Sequence, residues 1–181
     1  MENIYFLMLV TLALLAIVDI VVGVSNDAIN FLNSAIGSKV LSFRTIMIVS
    51  SIGIFIGAVY SSGMMEVARK GIFNPGEFYF DEIMIIFLAV IMTDILLLDF
   101  FNTLGLPTST TVSIVFNLLG AAIVMSLIKI AENNESVLDL ANYINTEKAT
   151  MIIGGILLSV LIAFSVGVIV QWVSRLIFSF Q

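Results

Sequence analysis

Five apolar stretches of helical length organise this chain, at residues 4–24, 45–65, 82–104, 109–130 and 151–172. A bilayer core takes about 20 consecutive apolar residues as a helix. None of the five alternates polar and apolar residues over about ten positions, as strands of a membrane barrel do. The pattern therefore predicts an all-α, polytopic transmembrane helical bundle. Polar residues mark the connections. Lys39 and Arg44 bracket a short turn. Residues 66–81 contain Arg69, Lys70, Asn74, Pro75 and Gly76, which is turn chemistry. Residues 132–148 form the longest polar stretch, in which Asn133-Asn134-Glu135-Ser136 reads as a helix start. Trp172 and Arg175 read as an interfacial anchor, as do Tyr60 and Tyr79. The aromatic-rich run 73–80 is expected along the headgroups.

Two polar interruptions stand out against this apolar background. The first is Ser25-Asn26-Asp27-Ala28-Ile29-Asn30, which follows the first apolar stretch directly. A carboxylate between amides at membrane depth is costly and reads by default as functional. At about 100° per residue, Asp19, Gly23, Asn26, Asn30 and Gly37 fall near one stripe, with Asn33 and Ser34 beside it. Ile20, Val24, Phe31 and Leu32 lie opposite. Small and amide side chains also serve as glue between membrane helices. Glue accounts for the Gly and Asn residues but not for the carboxylate. The carboxylate and amide oxygens suit a hard cation.

The second interruption is Gly105-Leu106-Pro107-Thr108-Ser109-Thr110-Thr111. Gly105 and Pro107 break the helical pattern between two apolar runs. Pro at a helix start leaves the following amides free, and Ser109, Thr110 and Thr111 add hydroxyls at the positive helix end. That combination suits an oxyanion. A kinked helix whose hydroxyls bond back to its own carbonyls is the plainer alternative. Both interruptions together match what a cation-coupled anion transporter needs, namely two sites on broken or re-entrant helices near the midplane.

Composition narrows the class further. Hydrophobic residues make up 60% and charged residues 11% of the chain, and the mean hydropathy is +1.17. A soluble domain carries about a quarter charged residues. The absence of Cys excludes disulfides and thiolate metal sites, and the absence of His excludes imidazole relays. The seven Lys and Arg are scattered, which excludes a nucleic-acid surface. Their distribution across the connections leaves the orientation undecided under the positive-inside rule. Met1-Glu2-Asn3 lacks a positive leader, so the first segment is expected to be retained as a membrane helix. Asp94 and Asp99 are five apart and point in different directions. Asp99 and Asn102 share a face, so Asp99 either lines the same cavity or lies near a membrane surface.

The segment GVSNDAINFLNSAIGSKV resembles a signature of the inorganic phosphate transporter (PiT) family, G-x-N-D-x-x-N-x-x-x-T/S-x-x-G-S. Asn26, Asp27, Asn30, Ser34, Gly37 and Ser38 fall on it. The segment GLPTSTTVSIVFNLLGAAI resembles the family's second signature, G-L-P-x-S-T-T-H-S, through Gly105, Leu106, Pro107, Ser109, Thr110, Thr111 and Ser113. Arg44 and Arg69-Lys70-Gly71 sit where many members have them. Val112 stands where the family usually has His, and Ile54 where many members have Glu. The Gly23 to Asn26 spacing is one residue longer than the family's.

The resemblance implies sodium- or proton-coupled transport of inorganic phosphate and no enzymatic activity. It implies phosphate binding at Ser109, Thr110, Thr111 and Asn30. It implies cation binding at Asn26, Asp27, Asn30 and Ser34, with Asp27 and Asn26 holding sodium if sodium is the coupling ion. No cofactor is expected beyond that ion. Only one copy of each signature is present, so residues 1–181 are expected to be a single membrane domain, one half of an inverted-repeat transporter and the N-terminal part of a longer protein. A second repeat, or a second copy in a homo-oligomer, is expected to complete the site. A monomer of residues 1–181 is not expected to transport. The expected location is a bacterial inner membrane, among lipid. A passive anion channel and a non-transporting membrane subunit are the alternatives.

Overall fold

The computed structural model describes residues 2–61 and 71–179. Its long elements are all helices: α1 (Glu2–Ser38), α2 (Phe43–Tyr60), α3 (Phe80–Leu104), α4 (Thr110–Asn133) and α6 (Thr146–Phe178), with a single turn α5 (Leu140–Tyr143) between the last two. Each of the five long helices is long and apolar enough to cross a bilayer. The expected end of the second apolar stretch, near residue 65, and Arg69-Lys70 lie outside the described residues.

The chain divides into two compact units, Met1–Asn145 and Thr146–Gln181. In the first, α1 packs along α3 and α3 packs along α4. The core of this unit runs between those helices through Leu32, Ile86, Val90, Leu98, Val115, Leu118 and Ala122, all buried. The second unit is the single helix α6, whose apolar side chains are almost all exposed. Exposed Leu, Ile, Val and Phe along α1, α2 and α6 are what a lipid-facing surface requires, because lipid tails are as apolar as the side chains.

Local sequence explains where the helices stop and start. Lys39, at φ 54°, ends α1 in the left-handed region. Ser42 then caps α2, its side chain accepting from the Thr45 amide. Glu82 accepts from the Tyr79 amide, and Asp81 and Glu82 place negative charge on the first turn of α3. Lys129 reaches back from α4 to Glu82 at 2.8 Å and stacks over the Tyr79 ring, tying the ends of the two helices together. Asn134, at φ 55°, closes α4, so Asn133-Asn134 ends a helix where the sequence pattern predicted a start. Ser136 is a helix cap, but of the short 3-10 turn Val137–Asp139.

Gly105 ends α3 at φ 68°. Its amide bonds to Asn102 O at 3.1 Å and the Leu106 amide to Phe101 O at 2.9 Å, a left-handed helix stop that favours Gly. A side chain in that conformation costs about 1–2 kcal/mol. Gly105→Ala is therefore expected to lower unfolding stability by about that amount, read by thermal unfolding in detergent. An unchanged midpoint would show that residues 105–109 rearrange freely.

Two expectations are corrected. The Asn/Asp stretch does not interrupt its helix: α1 runs unbroken for 37 residues through Ser25–Asn30 and on to Ser38. The Asn26, Asp27 and Asn30 side chains bond across to another segment rather than to their own backbone, and of this stretch only Ser25 bonds back, to Val21 O at 2.7 Å, a bond the helix tolerates. The aromatic run 73–80 is also not a headgroup-facing surface throughout. Phe73 and Phe78 are buried and pack edge-on against each other, Phe87 and Tyr143. A short backbone pairing fixes this cluster: Asn74 donates to Tyr143 O at 2.8 Å and Asn145 to Ile72 O at 3.0 Å. Tyr79 and Phe80 remain exposed.

Candidate functional site

The loop 105–109 between α3 and α4 lies against the polar stripe of α1. Thr108 is held by its backbone from two sides. Its amide donates to Asn26 Oδ1 at 3.0 Å, and its carbonyl accepts from Asn30 Nδ2 at 3.3 Å. Asn26 is fully buried, and its other end donates to Asn102 Oδ1 at 2.8 Å. Asn102 Nδ2 in turn donates to Val22 O at 3.3 Å. Asn26 thus links three segments, α1, the end of α3 and the loop, with both ends of its amide engaged.

Two residues beyond Thr108, Thr110 Oγ1 donates to Asp27 Oδ2 at 2.9 Å. This bond joins the carboxylate of the first interruption to the hydroxyl run of the second, 83 residues apart in sequence. Ser109 caps α4 by accepting from the Val112 amide at 3.4 Å, which leaves its hydroxyl proton to donate outward. Ser109, Thr111, Asn30 and Ser34 are exposed, while Asp27, Thr108 and Thr110 are half-buried. The mouth of the arrangement is therefore open on the Asn30 side and closed at Asn26.

Chemically, this is a carboxylate beside a helix N-terminus with hydroxyls at its rim. The first amides of α4 lack helical partners beyond the Ser109 cap, and the helix end is partly positive. Asp27 keeps one oxygen beyond the Thr110 bond. Among the described residues, no group of three carboxylate or imidazole side chains gathers as a metal site. An ion here would draw on one carboxylate together with amide, hydroxyl and carbonyl oxygens. Asp99 is exposed and Asn102 belongs to the Asn26 linkage.

A second polar cluster lies deeper and had no assigned role in the sequence reading. Asp94 is buried at 1% exposure near the middle of α3. It accepts from Ser113 Oγ and, at 3.0 Å, from Asn117 Nδ2, both on α4. Asp19 of α1 faces it. The available signal was the spacing of Ser113 and Asn117, four apart on one face of an apolar helix. Nothing in the sequence paired that face with Asp94 and Asp19.

Long apolar helices, one broken pair, and a polar turn docked on a polar helix stripe define a polytopic α-helical membrane protein with an internal polar site. Residues 23–180 match the Phosphate transporter family, and the chain belongs to it. It is 32% identical over 106 residues to a Mycobacterium bovis protein named "Putative phosphate permease", an alignment covering 57% of this chain and 19% of that protein. It is 32% identical over 103 residues to a Pyrococcus furiosus protein of the same name, covering 55% of this chain and 25% of the relative. The chain thus matches between 19% and 25% of the length of these relatives. No solved structure matches it. The family is one of transporters, not enzymes.

Proposed function

We propose that this chain forms one repeat of a cation-coupled inorganic phosphate transporter in a bacterial plasma membrane. Phosphate binds at the α4 N-terminus through the Ser109 and Thr111 hydroxyls and the free backbone amides there, that of Thr110 included, with Asn30 at the rim; the Thr110 hydroxyl proton is given to Asp27. The coupling cation, sodium or a proton, binds at Asp27, with Asn30 and Ser34 on the same open side. Asn26 carries its part by holding the loop, since its own amide is engaged at both ends. A second repeat or a second copy of the chain covers the open side. The observation that carries this reading is the 2.9 Å bond from Thr110 Oγ1 to Asp27 Oδ2, which sets an anion cradle and a carboxylate side by side.

That adjacency supplies a physical basis for coupling. A phosphate dianion and the Asp27 carboxylate repel each other strongly in a low-dielectric site. A cation between them removes the repulsion, so each ion favours binding of the other. Reciprocity of this kind is required of any coupling between two binding events.

The test is uptake of labelled phosphate into vesicles reconstituted with the assembled protein, in which a second repeat or a second copy closes the site. Concentrative uptake that collapses with the sodium or proton gradient is expected. Purely downhill flux would replace the transporter with a passive anion channel. No flux would leave a non-transporting membrane subunit. Within the cradle, Ser109→Ala is expected to weaken phosphate binding about ten-fold or more, because a hydrogen bond to a charged group contributes roughly 1.5–3 kcal/mol, while Thr110→Ala removes the bond to Asp27 and is expected to weaken binding of the cation instead. Thr108→Val is expected to be milder, since Thr108 engages α1 through its backbone. A larger loss at Thr108 in a binding titration would move the phosphate off the Ser109–Thr111 hydroxyls.

A further inference from the structure

The Asp19 and Asp94 carboxylates meet between α1 and α3, inside the stretch of both helices that crosses the membrane. Asp94 is almost wholly buried. Its Oδ1 is saturated by Ser113 and Asn117, yet its Oδ2 has no hydrogen-bond partner. Asp19 likewise keeps a buried Oδ1 without a partner. Both residues line one small cavity of about 140 Å³, whose other walls are apolar, including Phe87, Val90, Ile91 and Leu118. Among the described residues, the polar and titratable groups facing the pair come from three helices. Asp19 comes from α1 and Asp94 from α3, while α4 offers only the neutral Ser113 and Asn117. Lys129 is engaged with Glu82, and Asp27 with Thr110.

Two ionised carboxylates cannot share such a place. Each has an oxygen buried away from water, each repels the other, and among the described residues no basic side chain faces them. Two unpartnered oxygens on facing carboxyl groups are satisfied together by a single proton, which one group donates and the other accepts. We propose that the Asp19–Asp94 pair is a proton-binding site of this protein, holding one exchangeable proton between the two carboxyl groups. The Ser113 and Asn117 bonds fix the Asp94 carboxyl so that its free oxygen faces the pair rather than its own helix. The cavity, at about 140 Å³, has room for a water of about 30 Å³ beside the two carboxyl groups. The site is separate from the Asp27 site and does not rest on the transport reading.

A loss of one carboxyl changes the chemistry in a defined way. Asn at either position donates an amide hydrogen bond to the remaining carboxylate. That carboxyl oxygen then has a hydrogen-bond partner that needs no shared proton.

Infrared difference spectra of the protein in lipid vesicles, taken between acidic and alkaline buffer, test this without phosphate or uptake. The wild type is expected to show a protonated carboxyl band, shifted in heavy water, that titrates as one proton per chain. Asp94→Asn and Asp19→Asn are each expected to remove that band, while Asp99→Asn, at an exposed position, leaves it unchanged. If Asp94→Asn fails to insert, Asp19→Asn still reads the pair. A band that survives both variants would overturn the proposal. So would the absence of any such band in the wild type, or its removal by sodium at constant ionic strength, which would give the site to sodium. Failure of phosphate uptake would leave these spectra unaffected, so the two readings fall separately.

Discussion

Asp27→Asn is expected to reduce gradient-driven phosphate uptake to background while the protein still folds and inserts. Asn matches Asp in size and keeps an oxygen to accept from Thr110 Oγ1, so the 2.9 Å bond across the site survives. What is lost is the charge. Without it the cation has no carboxylate to neutralise and its binding no longer assists that of the anion. Measured in vesicles against the sodium and proton gradients separately, uptake should fall with both. Retention of gradient dependence in this variant would remove Asp27 from the cation site. Retained folding is part of the expectation, and unchanged circular dichroism and vesicle incorporation check it.

The opposite pattern is expected of Asn26→Ala, one position earlier. Asn26 is fully buried and its side chain is the partner of both Asn102 Oδ1 and the Thr108 amide. Truncation leaves two polar groups without partners. An unpaired buried group costs roughly 1–3 kcal/mol, and both groups here are only half-buried, so a loss of about 1–3 kcal/mol in unfolding stability is expected for the pair. The effect should concentrate on residues 105–109, which lose one of their ties to α1. Amide exchange at Thr108 should rise more than that of the α3 interior, and phosphate affinity should fall with it. A variant with wild-type stability and a protected Thr108 amide would show that Asn26 is not what holds the loop. The two neighbours thus separate by readout: Asp27 in coupling with the fold intact, Asn26 in the fold itself.

The match to known relatives bears on the class of protein and leaves the site to these tests. Family membership rests on residues 23–180, which include both polar segments. The relatives extend well beyond the aligned part. A single open polar face fits a site that another repeat or another copy closes. The exposed Asn30, Ser34, Ser109 and Thr111 are the side chains such a partner would meet.

Hydrophobic length alone determined the five long helices, because a run of about 20 apolar residues has one stable form in lipid, with every backbone group bonded within the segment. Gly105 and Pro107 likewise determined the break between α3 and α4, since the left-handed stop at Gly105 and the missing amide of Pro107 are local chemistry. The polar stripe of α1 was legible from its spacing, and so was the hydroxyl run after Pro107. What those residues do to one another was not. An Asn/Asp cluster can break a helix or leave it whole, depending on whether its side chains turn to their own backbone or to a neighbour. Only the docking of loop 105–109 decided that α1 continues, that Asn26 is a buried linkage and Asn30 an open rim, and that Thr110 meets Asp27. The same holds for Asp94. Its sequence neighbours made it an isolated acid in an apolar helix, and its partners Asp19, Ser113 and Asn117 come from α1 and α4. Helix formation in lipid is a local matter of backbone bonding. The pairing of buried polar groups is not, because each partner is chosen by which helix faces pack together.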